Sequence, residues 1–121
     1  MILLDTNALI WLLAGHKRAA KLPKKDRRFY VSPVSLLELR FLTELGRIRF
    51  LRGELDLESD SRLAVDDPSS AHLFEHAGAV TWTRDPFDRL IVAHASLRGW
   101  TLATSDAHII ENLGAKATLQ L

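Results

Sequence analysis

Five carboxylates stand where this 121-residue sequence can do chemistry. Asp5 closes a short apolar run, Ile2 to Leu4, and Asp106 closes another, Trp100 to Thr104. Asp85 precedes Pro86, the pairing of a helix N-cap with proline at the first helical position. Asp88 follows on the first turn, three residues after that cap. Glu38 lies within a second helix, opened by Ser32-Pro33. If Val34, Leu37, Phe41 and Leu45 form that helix's apolar stripe, Glu38 sits at the edge of its buried side, without a basic partner at helical spacing. Each acid also has a plain reading. Asp5, Asp85 and Asp106 can cap helices, Asp88 is favoured by the helix dipole, and Glu38 can reach out to solvent. For Asp5, Asn7 offers an equally good cap, which leaves Asp5 free for other work. Jointly the acids say more. A parallel sheet gathers strand ends and helix starts along one edge, where such folds bind ligands. Three or four carboxylates converging there repel one another unless a hard cation sits among them. Oxygen ligands with no cysteine and no committed histidine suit Mg²⁺ or Mn²⁺. Such a site suits phosphodiester hydrolysis.

The elements that must position these acids alternate. Ile2–Leu4 reads as a strand, and residues 8–14 as a helix that is apolar nearly all round and closed by Gly15. Residues 16–28 read as loop or broken helix, and 29–31 as the next strand. The helix from Pro33 ends at Gly46. Residues 47–61 show no clear period. A strand over 62–65 and a helix over 69–77 follow, then a loop or weak strand over 78–83. The helix from Pro86 stops at Gly99, and residues 100–104 form a buried strand. A short helix over 108–113, Gly114 and a last strand over 117–121 complete the chain. This alternation predicts one domain, residues 1–121. Its expected fold is a three-layer α/β/α sandwich with a central parallel sheet of about four or five strands.

The net charge of +1 conceals a division. Residues 1–53 hold 11 Lys/Arg against 4 Asp/Glu, whereas residues 54–121 hold 5 against 11. A basic half suits a polyanionic partner such as nucleic acid. Lys17, Arg18, Lys24 and Lys25, with Lys21, Arg27 and Arg28 beside them, offer phosphate contacts without sequence information. Arg40, Arg47, Arg49 and Arg52 broaden that positive side. The absence of cysteine excludes disulfides and makes a reducing cytoplasm the simpler home. The longest apolar run is too short to span a membrane.

Four segments recur in one order in a known family: Asp5-Thr6-Asn7, the Ser35-to-Leu39 segment with Leu45-Gly46-Arg47, Arg84-Asp85-Pro86-Phe87-Asp88-Arg89, and Thr104-Ser105-Asp106. The chain resembles PIN-domain proteins of the VapC toxin type, from Ile2 to Leu121. The resemblance implies a Mg²⁺-dependent endoribonuclease with acids at Asp5, Glu38, Asp88 and Asp106, leaving a 5′-phosphate and a 3′-hydroxyl. Asp5, Asp88 and Asp106 would hold the metal, and Glu38 would complete the shell or orient the nucleophile. Thr6, Asn7, Ser35, Asp85, Thr104 and Ser105 would support them, and Arg89 would steady the site or contact RNA. A homodimer silenced by a cognate antitoxin is also implied. The chain departs from the pattern at Thr83, where His is frequent, and at His94, where Gln is common. Residues 17–28 and 52–61 are shorter than usual.

Other features weigh less. His72 and His76 have helical i, i+4 spacing but no third ligand for zinc. His108 is close to Asp106 in sequence and reads as a surface residue. Trp11, Trp82 and Trp100 read as core or dimer contacts. Two other function classes compete. A non-catalytic module that binds RNA or protein would be expected to have lost at least one acid. A phosphoacceptor receiver domain needs paired acids after its first strand and a late lysine, but Thr6 follows Asp5.

Overall fold

A computed structural model describes residues 1–25, 28–50 and 56–121. Arg27 and Arg52, part of the predicted basic surface, lie outside the described residues. The element order is β1 (Ile2–Leu4), α1 (Thr6–Ala14), β2 (Phe29–Val31), α2 (Pro33–Glu44), β3 (Leu63–Val65), α3 (Ser70–Gly78), α4 (Pro86–Arg98), β4 (Thr101–Thr104), α5 (Ala107–Leu113) and β5 (Thr118–Gln120). A 3-10 turn, Lys17–Lys21, follows α1.

The five strands form one sheet in the order β3-β2-β1-β4-β5, with every described pairing parallel. The predicted α/β architecture is the observed one. Central strands β1 and β4 are apolar in consecutive residues, as a sheet covered on both faces requires. Leu4, Ala8, Leu9, Val31, Leu39 and Ala103 pack on one side with α1. Leu3, Ile91, Val92, Ala95, Leu102 and Ile109 pack on the other with α4 and α5. Leu73 and Ala77 of α3 pack on Ala93 of α4 in a further cluster.

From β1 the chain winds to β2 and β3 on one side, and from β4 it winds to β5 on the other. The connections leaving β1 and β4 therefore diverge, which opens a crevice at the carboxyl ends of these two strands. Asp5 immediately follows the first of those ends, and Asp106 lies two residues past the second.

Helix starts follow the local chemistry expected of them. Ser32 Oγ accepts from Val34 N–H at 3.3 Å, and Pro33 occupies the first position of α2. Gly99 stops α4 at φ 68°, a left-handed conformation that suits glycine. The packing of α2 corrects the predicted stripe. Leu37, Phe41 and Leu45 are exposed, at 62%, 49% and 59%, while Ser35 and Leu39 are buried. Leucines occupy several faces of this helix, so the apolar pattern does not select one. Burial of Leu39 in the core and polar contacts from Ser35 and Glu38 to Thr6 of α1 mark the inward face.

Candidate active site

Of the two caps the sequence offers the first helix, Asp5 and Asn7, the structure uses Asp5. Asp5, in extended conformation with ψ 175°, is the N-cap of α1, and its Oδ1 accepts from Ala8 N–H at 2.8 Å. Asn7 is exposed inside the first turn. Asp5 also remains part of the crevice: it is 8% exposed, and its backbone N–H donates to Ala103 O across to β4 at 3.1 Å. Capping uses one carboxylate oxygen, so the role leaves Asp5 able to do more.

Asp106 likewise caps α5, with Oδ1 accepting from His108 N–H at 2.8 Å and Ile109 N–H at 3.3 Å. Its own N–H donates to the buried Thr104 hydroxyl at 3.1 Å. Ser105 links the strand to this cap and is half-buried. Asp85 caps α4 as predicted, accepting from Phe87 and Asp88 N–H at 2.9 and 3.3 Å. Asp88 is half-buried on the first turn beyond that cap.

Glu38 is anchored from the neighbouring helix. Thr6 Oγ1 contacts Glu38 Oε1 and lies 3.1 Å from Ser35 Oγ. One hydroxyl proton serves one acceptor, so Thr6 donates to the carboxylate and Ser35 can donate to Thr6. Thr6 is 5% exposed and Ser35 is fully buried. These buried hydroxyls orient the acid and fix the face of α2 turned inward.

The four predicted acids share one electrostatic neighbourhood. Burial pushes Asp5 up to about 6, against hydrogen bonds from Thr104 and Ala8, and the Glu38 and Asp106 charges add to the rise. Burial and the charges of Asp85, Asp106, Glu38 and Asp5 push Asp88 up to about 7. Glu38 is raised too, by burial and the Asp85 charge, against the Thr6 hydrogen bond. Among the described residues no ion pair joins any of them to Lys or Arg. A cluster that resists carrying its own negative charge favours a proton or a cation. No three of these side chains, among the described residues, enclose a metal position by themselves. The donor set nonetheless fits Mg²⁺, which keeps several waters and is commonly bound through one or two carboxylates.

The predicted cations divide. Arg89 is beside the acids, its Nε donating to Thr83 O at 2.7 Å. Arg40 is exposed on α2. Lys17, Arg18, Lys24 and Lys25 are elsewhere: the segment leaves the C-terminal end of α1 and re-enters at the start of β2, so it lies at the opposite, amino edge of the sheet. His72 and His76 are exposed and gather no metal group among the described residues. His108 is exposed, edge-on to Trp82.

One cluster has no counterpart in the sequence reading. His94 is fully buried, and its Nε2 lies 2.7 Å from Asp66 Oδ2. Arg98 Nε and Nη2 donate to the same carboxylate at 2.9 and 3.2 Å. Asp66 directly follows β3, so the rule that singled out Asp5 and Asp106 also points to it. The network fastens α4, which bears Asp85 and Asp88, to the end of β3.

Comparison with known proteins agrees with this geometry. No curated protein gives a significant match. Among solved structures, the chain is similar to a toxin–antitoxin complex from Klebsiella pneumoniae, at TM-score 0.70 and 20% identity over 99% of this chain and 97% of that one. It is also similar to FitAB bound to an IR36 DNA fragment, at TM-score 0.61 and 21% identity over 99% and 94% of the two chains. FitAcB from Neisseria gonorrhoeae gives TM-score 0.58 and 23% identity over 100% and 97%. These likenesses establish a shared fold. With residues 2–115 matching the PIN domain family model and the acids gathered at the switch between β1 and β4, the chain belongs to the PIN domain family.

Proposed function

We propose that this protein is a Mg²⁺-dependent endoribonuclease, with Mn²⁺ a plausible substitute, acting in the cytoplasm as the VapC-type toxin of a toxin–antitoxin pair. The observation behind the proposal is the gathering of Asp5, Glu38, Asp88 and Asp106 in the crevice, three of them with raised proton affinity and none paired with a described Lys or Arg. Asp5, Asp88 and Asp106 would hold the cation, directly or through water. When bound, the cation supplies neutralising charge for the scissile phosphate and acidifies water. Glu38, steadied by Thr6, orients the attacking water and accepts its proton. Asp85 and Asp106 fix the starts of α4 and α5 by capping them, and so hold Asp88 and the β4 end in place. The products are a 5′-phosphate and a 3′-hydroxyl.

The antitoxin partner draws support from a neighbour described as a toxin–antitoxin complex. The exposed line Leu37, Phe41 and Leu45 is an apolar helix face of the kind a protein partner covers. Phe87 extends it towards Asp88, its ring centroid 5.9 Å from that of Phe41. We further propose a homodimer, which light scattering on the purified chain checks. No described helix is long and apolar enough to cross a membrane.

The test is cleavage of labelled total RNA with Mg²⁺, with Mn²⁺ and with EDTA, beside Asp5→Asn. Asn is also a good N-cap, so the fold should survive the substitution. Discrete cuts that require both metal and Asp5 are expected. Cuts that persist in Asp5→Asn or in EDTA would overturn the assignment. A second reading, a non-catalytic PIN module, draws on the absence of a closed ligand cage among the described residues. It predicts RNA or protein binding with no cleavage under any metal.

A further inference from the structure

We infer that the amino edge of the sheet is a docking site for the RNA backbone, separate from the acid crevice. The relevant residues are Lys17, Arg18, Lys21, Lys24, Lys25 and Arg28. All six are exposed, and among the described residues none pairs with a carboxylate. Asp26 is the one acid in the sequence between His16 and Arg28.

The segment is also organised. Arg18 stacks on Trp11 of α1, its guanidinium carbon 4.9 Å from the ring centroid. His16 stacks on the same side chain, with ring centroids 5.7 Å apart, and its Nδ1 accepts from Arg18 N–H at 3.1 Å. A stacked guanidinium keeps its N–H edge free and loses little further entropy on meeting a phosphate. In a 3-10 turn, side chains three apart eclipse one another, so Arg18 and Lys21 line up on one side. Leu22, 5% exposed, packs into the core and anchors the turn.

Position makes this surface distinct. The nine residues of α1 separate Asp5 from Gly15, a span of about 14 Å at helical rise. RNA cut at the crevice must therefore extend past the reacting phosphate to reach these cations. Long substrates gain affinity there, whereas a substrate only a few nucleotides long does not. The choice of RNA as the polyanion rests on the proposed nuclease activity; the surface itself is read from charge and exposure.

The test is binding of fluorescein-labelled single-stranded RNA, followed by anisotropy in EDTA so that no cleavage intervenes. Wild type and two triple variants at Lys21, Lys24 and Lys25, one to Glu and one to Gln, are compared over a salt series. Thermal melts confirm folding, and the Gln variant serves if the Glu variant does not fold. Loss of three phosphate contacts lowers the slope of log affinity against log salt by about 2 for single strands. Unchanged affinity and slope in the triple variants would overturn the proposal, as would no RNA binding by wild type. Equal binding of polyglutamate would reassign the surface to an acidic protein. Absence of cleavage elsewhere leaves this result intact, so the two proposals fail separately.

Discussion

The two edges of the sheet differ in charge and in how that charge is held. At the carboxyl edge, acids are partly buried, crowded and anchored by backbone N–H groups and hydroxyls. At the amino edge, cations are exposed and spread along one turn and its sequel. A buried like-charge cluster costs stability unless something neutralises it, whereas a solvated run of lysines costs little. The carboxyl edge is thus built for a definite ligand and the amino edge for a diffuse one.

The largest expected effect breaks the comparison at its acidic end. Asp88→Asn should reduce RNA cleavage to background, as should Asp5→Asn. It should also raise the melting temperature of the metal-free protein by relieving repulsion. A lower melting temperature with intact cleavage would show that the cluster is structural. Next comes the support beneath that edge. Leu39→Ala should cost about 2–5 kcal/mol in denaturant unfolding, while Leu37→Ala on the same helix changes stability by less than about 0.5 kcal/mol. Equal costs would mean that the inward face of α2 is misassigned.

A smaller effect depends on pH and metal. Asp5 and Asp88 are pushed up to about 6 and about 7, so between roughly pH 4 and pH 7 the folded chain holds more protons than the unfolded one. Metal-free stability should fall as pH rises through that window. Asp66 acts with the opposite sign: burial raises it, but hydrogen bonds from Arg98 and His94 outweigh burial and leave it low. Its contribution is lost only as the pH drops below the ordinary carboxylate range. Above pH 7, Mg²⁺ at about 100 times its Kd should restore about 2.7 kcal/mol. Melts that rise with pH across the window, or ignore metal above it, would contradict the coupling. The smallest effect belongs to the amino edge, where the Lys-to-Gln triple should move stability by no more than about 0.5 kcal/mol. A larger loss would show that these lysines are structural.

Much of this was legible in the sequence. Ser32-Pro33 and Asp85-Pro86 mark helix starts by local chemistry alone, and Gly15 and Gly99 mark helix ends. The short apolar runs could be read as strands because they alternate with those helices. The inward face of α2 could not be read, because Leu36, Leu37, Leu39 and Leu42 allow more than one orientation. What selects it is Thr6, 29 and 32 residues away from Ser35 and Glu38. By sequence Asp5 and Asn7 are equally good caps for α1, and sequence does not show that one carboxylate can serve both cap and crevice. The Asp66–His94 contact spans 28 residues and leaves no local trace. The position of the basic run was hidden too, since sequence gives its charge but not the edge on which it falls.

The hydrogen bond from Asp5 N–H to Ala103 O ties the end of β1 to β4, whose own end leads to Asp106. Asp5 is thereby held beside the end of β4, across strands about 4.8 Å apart, and Asp106 follows two residues past that end, held by its cap on α5. Loops elsewhere along either edge can change without moving Asp5 from the end of β4. Such a site is tolerant of drift. A chain sharing 20% of its residues with another can keep the same frame, as the TM-score of 0.70 attests.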